Sequence, residues 1–191
     1  MIYTNKIREA ITFSIKTHEV YQKQKRKGKD IPYITHPLTV GIILLLAGAN
    51  EDVVIAGLLH DTIEDSSPEK KVHKEMLTER FGEHVAELVL SVTEEDQTRS
   101  WEQNKREALE HIADFSQESV LVKSADTISN VSEILDDHRK HGDDMFNRFH
   151  ASKAQTIANY LSVIQALLVR FPESPLVDDL SRIHAELRAI Q

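Results

Sequence analysis

The stretch Gly57-Leu58-Leu59-His60-Asp61-Thr62-Ile63-Glu64-Asp65 places one histidine and three carboxylates within six residues, directly after an apolar run. Residues four apart share a helix face. If the helix through Leu59 continues, Glu64 falls one turn below His60 and Asp65 one turn below Asp61. The adjacent His60 and Asp61 are then candidates to ligate one metal ion, with Glu64 and Asp65 beside it to handle a bound water.

Three more polar residues fall where an apolar pattern does not need them. His36 opens the apolar segment that precedes this stretch, Asp126 interrupts Val120-Leu121-Val122-Lys123-Ser124-Ala125, and Asn130 follows Asp126 by four residues. Alone, a histidine before a proline is more often a cap or a satisfied core residue, and a helical aspartate usually faces solvent. As a set, His36, His60, Asp61 and Asp126 offer mixed nitrogen and oxygen ligands. Such a set suits Mn²⁺, Fe²⁺, Co²⁺ or Zn²⁺ better than Ca²⁺ or Mg²⁺. Separately, Lys23, Lys25, Arg26, Lys27 and Lys29 put five cations into seven residues. The bland reading is a solvated loop, and the sharp one is a local anion site.

The elements that must position these residues read as helices, with no segment alternating as a strand. Ile7, Ala10, Ile11 and Ser14 line a first helix reaching about His18. The basic segment, broken by Gly28 and Pro32, is a loop. Thr35 or His36 precedes the next helix, with Pro37 in its first turn. Leu38 to Ala49 is apolar nearly all round, which predicts a central, buried helix. Asn50 is the N-cap of the helix that carries Val53, Val54, Ala56, Leu58 and Leu59 into His60.

Ser67-Pro68-Glu69 starts a further helix ending near Phe81-Gly82. Val85, Leu88, Val89 and Val92 mark another, and residues 93–100 are polar and loop-like. Helical character resumes over 101–115. Leu121, Ala125, Ile128, Val131 and Leu135 mark a helix that Gly142 should stop. Ile157, Leu161, Ile164 and Leu168 form a stripe ended by Phe171-Pro172. Leu176, Leu180, Ile183, Leu187 and Ile190 form the last, which either closes the core or makes a homodimer contact. The pattern predicts one all-α domain of roughly eight to ten helices.

Composition sets outer limits. The 191 residues suffice for one domain with a proper core. There is no cysteine, which excludes disulfides and thiolate metal sites and fits a cytoplasmic location. The N-terminus lacks a secretory apolar region, and the longest apolar run, Val40 to Ala49, is about half a membrane span. A net charge of −8 argues against general nucleic-acid binding.

The order His, His-Asp, Asp resembles the HD metal-dependent phosphohydrolases. The words Arg26-Lys27-Gly28-Lys29-Asp30-Ile31-Pro32-Tyr33-Ile34-Thr35-His36-Pro37 and Leu58 to Asp65 look like the hydrolase domain of RelA/SpoT-type alarmone enzymes. Closer still are the stand-alone small HD proteins related to them, whose pattern Trp101-Glu102-Gln103-Asn104-Lys105 and Arg148-Phe149 also fit. The resemblance runs from about His18 to Leu168. It implies an HD-type helical bundle over 1–191, with a core of about 18–170 and a C-terminal helix at 175–190.

The resemblance also implies roles. His36, His60, Asp61 and Asp126 match the family's metal ligands, with manganese the usual ion. Glu64 and Asp65 match the acidic pair that activates the attacking water. Arg26 and Lys27 match a basic pair near the substrate phosphates, and Asn130 a position at the nucleotide site. Lys105 and Lys153 align loosely with further phosphate contacts. The expected reaction is removal of the 3′-pyrophosphate of guanosine tetra- or pentaphosphate (ppGpp or pppGpp), a small-molecule nucleotide substrate. Two words depart from the pattern. The glutamine-containing word before the basic loop is altered to Glu19-Val20-Tyr21-Gln22, and Asp126-Thr127-Ile128-Ser129-Asn130 has Thr127 and Ser129 where the alarmone enzymes carry arginine and histidine. The second departure leaves open another nucleotide phosphoester, or a non-catalytic metal-bearing nucleotide sensor.

Overall fold

The computed structural model describes residues 3–93 and 100–191. The loop expected over 93–100 lies, apart from its two ends, outside the described residues. Among those residues the regular structure is helical, with one isolated bridge between Lys25 and Pro32. No described helix is long and apolar enough to cross a membrane. The chain forms two compact units, Met1–Glu95 and Asp96–Gln191.

The first unit is built round α3. Its helices are α1 (Asn5–Ile15), α2 (Thr35–Leu46), α3 (Glu51–Leu59), α4 (Thr62–Asp65), α5 (Lys74–Phe81) and α6 (Glu83–Val92). Asn50 caps α3 as its side chain accepts from the Val53 amide at 3.0 Å, and Glu51 and Asp52 sit at the positive end of the helix dipole. Every residue from Val53 to Leu59 is buried, because α1, α2 and α6 all pack on this helix.

The helix expected to be buried all round was α2, and that expectation is corrected. Val40, Gly41 and Leu44 are buried, but Leu46 is 82% exposed and Ile42 56%. Thr35 is also the first residue of α2 rather than its cap, and its hydroxyl donates to the Pro32 carbonyl at 2.8 Å.

Glycines set the spacing between α2 and α3. A Cβ at Gly57 would lie 2.3 Å from Leu44 Cδ1, and one at Gly41 would lie 2.6 Å from Leu58 Cδ2. The residues 47–50 link the two helices as an antiparallel pair. The start of α2, with His36, therefore lies beside the end of α3, with His60.

Two other expectations change. The first helix, expected to reach about His18, ends as an α-helix at Ile15 and passes into a wider π-helical turn, Lys16–Tyr21, which buries Thr17 and His18. The helix expected from Ser67 is split into a short 3₁₀ turn, Pro68–Lys70, and α5, which ends at Gly82 with φ 89°.

The second unit comprises α7 (Trp101–His111), α8 (Gln117–His141), α9 (Lys153–Arg170) and α10 (Val177–Ala189). Capping boxes start α7 at Ser100/Gln103 and α9 at Ser152/Gln155. Gly142, at φ 58°, stops α8 as expected. On α10, Leu180, Ile183 and Leu187 are at most 1% exposed and pack toward α8 and α9, so this stripe closes the core of its unit. Arg148, in the 3₁₀ segment Gly142–Arg148, is held 2.6 Å from the buried Asp137 carboxylate, and its guanidinium lies over Phe149. The Arg148-Phe149 word thus ties this segment to α8.

Gly57→Ala is expected to lower the unfolding free energy by about 1 kcal/mol net. Overpacking of about 1–3 kcal/mol against Leu44 exceeds a helix-propensity gain of up to about 1 kcal/mol. Urea denaturation checks this, and an unchanged midpoint would mean that Leu44 yields without cost.

Candidate metal centre and its polar frame

In the first unit the end of α3 delivers His60 and Asp61 beside His36. The helix does not run on as one piece. His60 is its C-cap, Asp61 turns with ψ near −3°, and α4 restarts at Thr62. One element of the expected spacing survives the break, since the Asp65 amide donates to the Asp61 carbonyl at 2.9 Å. Short polar contacts hold α4: the Thr62 hydroxyl donates to the Leu59 carbonyl at 2.7 Å and the Lys71 ammonium to the Ile63 carbonyl at 2.6 Å.

His60 Nδ1 lies 2.8 Å from the Gly57 carbonyl, which can only accept, so Nδ1 carries the proton. In the neutral ring the lone pair is then on Nε2, 3.1 Å from Asp61 Oδ2. His36 Nε2 lies 3.7 Å from the same oxygen, and the two imidazole centres are 5.1 Å apart. The His36 and His60 side chains are at most 4% exposed and that of Asp61 is 19% exposed. Ligand atoms in adjacent positions round an ion with bonds of ~2.1 Å stand about 3 Å apart. His60 Nε2 and Asp61 Oδ2 stand at that spacing and His36 Nε2 is somewhat wider, and the donor types suit a divalent first-row ion. The backbone hydrogen bond that orients His60 is the usual outer support of a metal-binding imidazole.

Further residues, not anticipated from the sequence, frame this cluster. The Tyr33 hydroxyl donates to Asp61 Oδ2 at 2.6 Å. The Gln24 amide donates to Asp65 Oδ2 at 2.9 Å, and its oxygen lies 2.9 Å from His18 Nδ1. The Tyr33 amide donates to the Gln24 carbonyl at 2.9 Å, so the basic loop folds back on itself and presents both side chains together. The available signal was weak: a tyrosine and a glutamine inside a stretch read for its cations.

Burial pushes the Asp65 carboxyl above the usual carboxylate range, and the Asp61 charge adds to this while the Gln24 hydrogen bond opposes it. Burial lowers the His18 imidazole pKa against the Gln24 hydrogen bond and the Asp61 and Asp65 charges, which raise it. Glu64 is half-buried on α4, next to Asp65. Among the basic residues, Arg26 lies 5.4 Å from the centre of the Tyr33 ring and Lys25 pairs with Asp30. Lys27 is exposed.

The remaining sequence candidates belong to the second unit. Asp126 is 8% exposed on α8, and its two oxygens accept from Lys123 Nζ at 2.8 Å and Asn130 Nδ2 at 2.6 Å. Asn130 is thus on the Asp126 face, as the spacing of four implied. Thr127 is buried, its hydroxyl committed to the Lys123 carbonyl at 2.7 Å. Lys153 pairs with Asp143 at 2.8 Å, and Lys105 is half-buried on α7.

Burial, followed by the Asp61 and Asp65 charges, raises the Tyr33 phenol well above its ordinary value. Each of these disfavours phenolate, so in the metal-free protein Tyr33 stays neutral through the usual tyrosine range near ~10. Alkaline titration of phenolate absorbance should be the same for wild type and Tyr33→Phe up to that range. A missing ordinary tyrosine in the variant would contradict the assignment.

Residues 10–155 match the HD domain family. A guanosine-3′,5′-bis(diphosphate) 3′-pyrophosphohydrolase, MESH1 of Xenopus tropicalis, is 35% identical over 130 residues, 67% of this chain and 69% of that protein. A guanosine-3′,5′-bis(diphosphate) 3′-pyrophosphohydrolase of Aquifex aeolicus is 42% identical over 91 residues, 48% of this chain and 12% of that protein. The solved structure of a protein described as a metazoan ortholog of SpoT that hydrolyses ppGpp has a TM-score of 0.79 at 24% identity. It covers 99% of this chain and 98% of that one, a likeness of fold. The ligand-type cluster, the helical fold and these matches lead to one conclusion: the chain belongs to the HD domain family.

Proposed function

We propose that the chain is a metal-dependent phosphohydrolase that removes the 3′-pyrophosphate of guanosine tetra- or pentaphosphate, giving GDP or GTP and pyrophosphate. The observation that carries this reading is the His36–His60–Asp61 cluster, its imidazoles buried, with Asp65 braced beside it, in a chain whose relatives are named for that reaction. His36, His60 and Asp61 would hold a divalent ion, Mn²⁺ in this reading. Asp126 is assigned as a fourth ligand on the family pattern and on its burial. The proposed catalytic domain is residues 18–170, with the C-terminal helix completing its core, and it acts in the cytoplasm on a free nucleotide.

When bound, such an ion supplies a Lewis acid for a phosphoryl oxygen and acidifies its water from ~15.7 toward ~7. Asp65, with a pKa raised by burial, takes the proton of the attacking water, and Glu64 orients that water. The water oxygen joins the phosphorus, the bond from phosphorus to the ribose 3′-oxygen breaks, and the proton accepted by Asp65 returns to that leaving oxygen, which departs as the hydroxyl. Arg26 and Lys27 offset the charge of the polyphosphate, which a chain of net charge −8 would otherwise repel. Asn130, Lys105 and Lys153 are assigned to the nucleotide and its phosphates.

One observation favours a second reading, a different nucleotide phosphoester. Thr127 is buried with its hydroxyl on a backbone carbonyl, so this position offers no cation to a guanosine polyphosphate.

With Mn²⁺ and guanosine tetraphosphate, wild type is expected to release pyrophosphate and GDP, and Asp61→Ala to be inactive. Asp65→Asn should lose kcat by about 10²–10⁴-fold while keeping Mn²⁺ affinity. Turnover of other nucleotide phosphoesters with silence on the alarmone would select the second reading.

A further inference from the structure

A fully buried histidine needs a reason. His18 is 0% exposed, and its Nε2 has no hydrogen-bond partner. A leucine there would avoid the cost of an unsatisfied buried polar atom. The other ring nitrogen lies 2.9 Å from Gln24 Oε1, and the Gln24 amide nitrogen donates to Asp65 Oδ2 at 2.9 Å.

These contacts admit one consistent proton arrangement when Asp65 is ionised. A carboxylate only accepts, so Gln24 must turn its NH₂ to Asp65 and its oxygen to His18, and His18 must carry its proton on Nδ1. The backbone is pinned at the same place: the Gln24 amide donates to the His18 carbonyl at 2.9 Å, and the Gln24 carbonyl accepts from Tyr33. The His18 ring also packs 5.1 Å from the Tyr33 ring, whose hydroxyl holds Asp61.

We propose that Gln24, aimed by His18, is a positioning residue for Asp65. The His18–Gln24–Asp65 chain occupies Oδ2 and so fixes the other oxygen, Oδ1, as the one that meets the reacting water. The π-helical turn is part of the device, because it carries His18 inward. A carboxylate free to rotate spends part of its time with either oxygen misaligned, and small misplacements of a reacting group cost up to about 10²-fold in rate. This proposal rests on the reading of Asp65 as the base.

The test compares Gln24→Met, His18→Leu and His18→Asn in the full-length chain. Methionine keeps the length of glutamine without its hydrogen bonds, and asparagine places an amide N–H near the position of Nδ1. Gln24→Met and His18→Leu should lose kcat by roughly 10–100-fold with KM and Mn²⁺ affinity unchanged, and His18→Asn should stay within a few-fold of wild type. Independently of turnover, ¹⁵N NMR of the metal-free protein should show His18 as the Nδ1–H tautomer, lost in Gln24→Met. Undiminished kcat in Gln24→Met, or an Nε2–H tautomer in wild type, would overturn the proposal. If Asp65→Asn keeps full activity, the base assignment fails instead. If wild type is silent on guanosine tetraphosphate, the substrate assignment fails while the NMR result still reads the His18–Gln24 contact.

Discussion

The close approach of α2 and α3 is the constraint on which the centre depends. Gly41 and Gly57 leave no room for a Cβ between the helices, since Leu58 and Leu44 already occupy those positions. Because the two helices run antiparallel through a short connection, this contact sets the first turn of one against the last turn of the other. His36 and His60 become neighbours as a consequence of apolar packing, before any ion is considered. Gly57 contributes twice: its missing side chain admits Leu44, and its carbonyl accepts a hydrogen bond from His60 Nδ1.

Around that contact the protein accepts unfavourable terms that a purely structural core would avoid. Asp61 stands close enough to Asp65 for its charge to raise the Asp65 pKa, which burial already raises. The hydrogen-bond donors to these two carboxylates come from the basic loop, Tyr33 for Asp61 and Gln24 for Asp65. Arg26 lies over the same Tyr33 ring. The loop thus carries both the frame of the centre and the cations assigned to the substrate. A bound cation relieves the repulsion between the carboxylates, which ties the energetics of this unit to the chemistry proposed for it.

Much of this was legible in the sequence. The all-α class, the cap at Asn50, the stop at Gly142, the stripe on α8 and the ligand-type residues all follow local rules. The misreadings share a cause. The pattern of α2 is apolar all round, but burial depends on how many neighbours a helix acquires, and α3 takes the central place. Pro68 has the pattern of a helix start, yet only a 3₁₀ turn forms there, and the α-helix begins at Lys74. The step at His60 and Asp61 has no local signature, because no proline or glycine marks it. The frame residues were missed for another reason. Gln24 and Asp65 are 41 positions apart, and Tyr33 and Asp61 are 28 apart. Their pairing is set by a loop folding onto a helix end, which periodicity does not encode.

Packing of α2 on α3 brings His36, His60 and Asp61 together, and the proposal is that they hold one divalent ion. Titration of the metal-free full-length protein with Mn²⁺, following loss of the free-ion electron paramagnetic resonance signal, tests it directly. One equivalent should bind to wild type, and the stoichiometric site should vanish in a His36→Ala/His60→Ala variant that keeps its helical circular dichroism. Equal binding by the folded variant, or none by wild type, would contradict the claim.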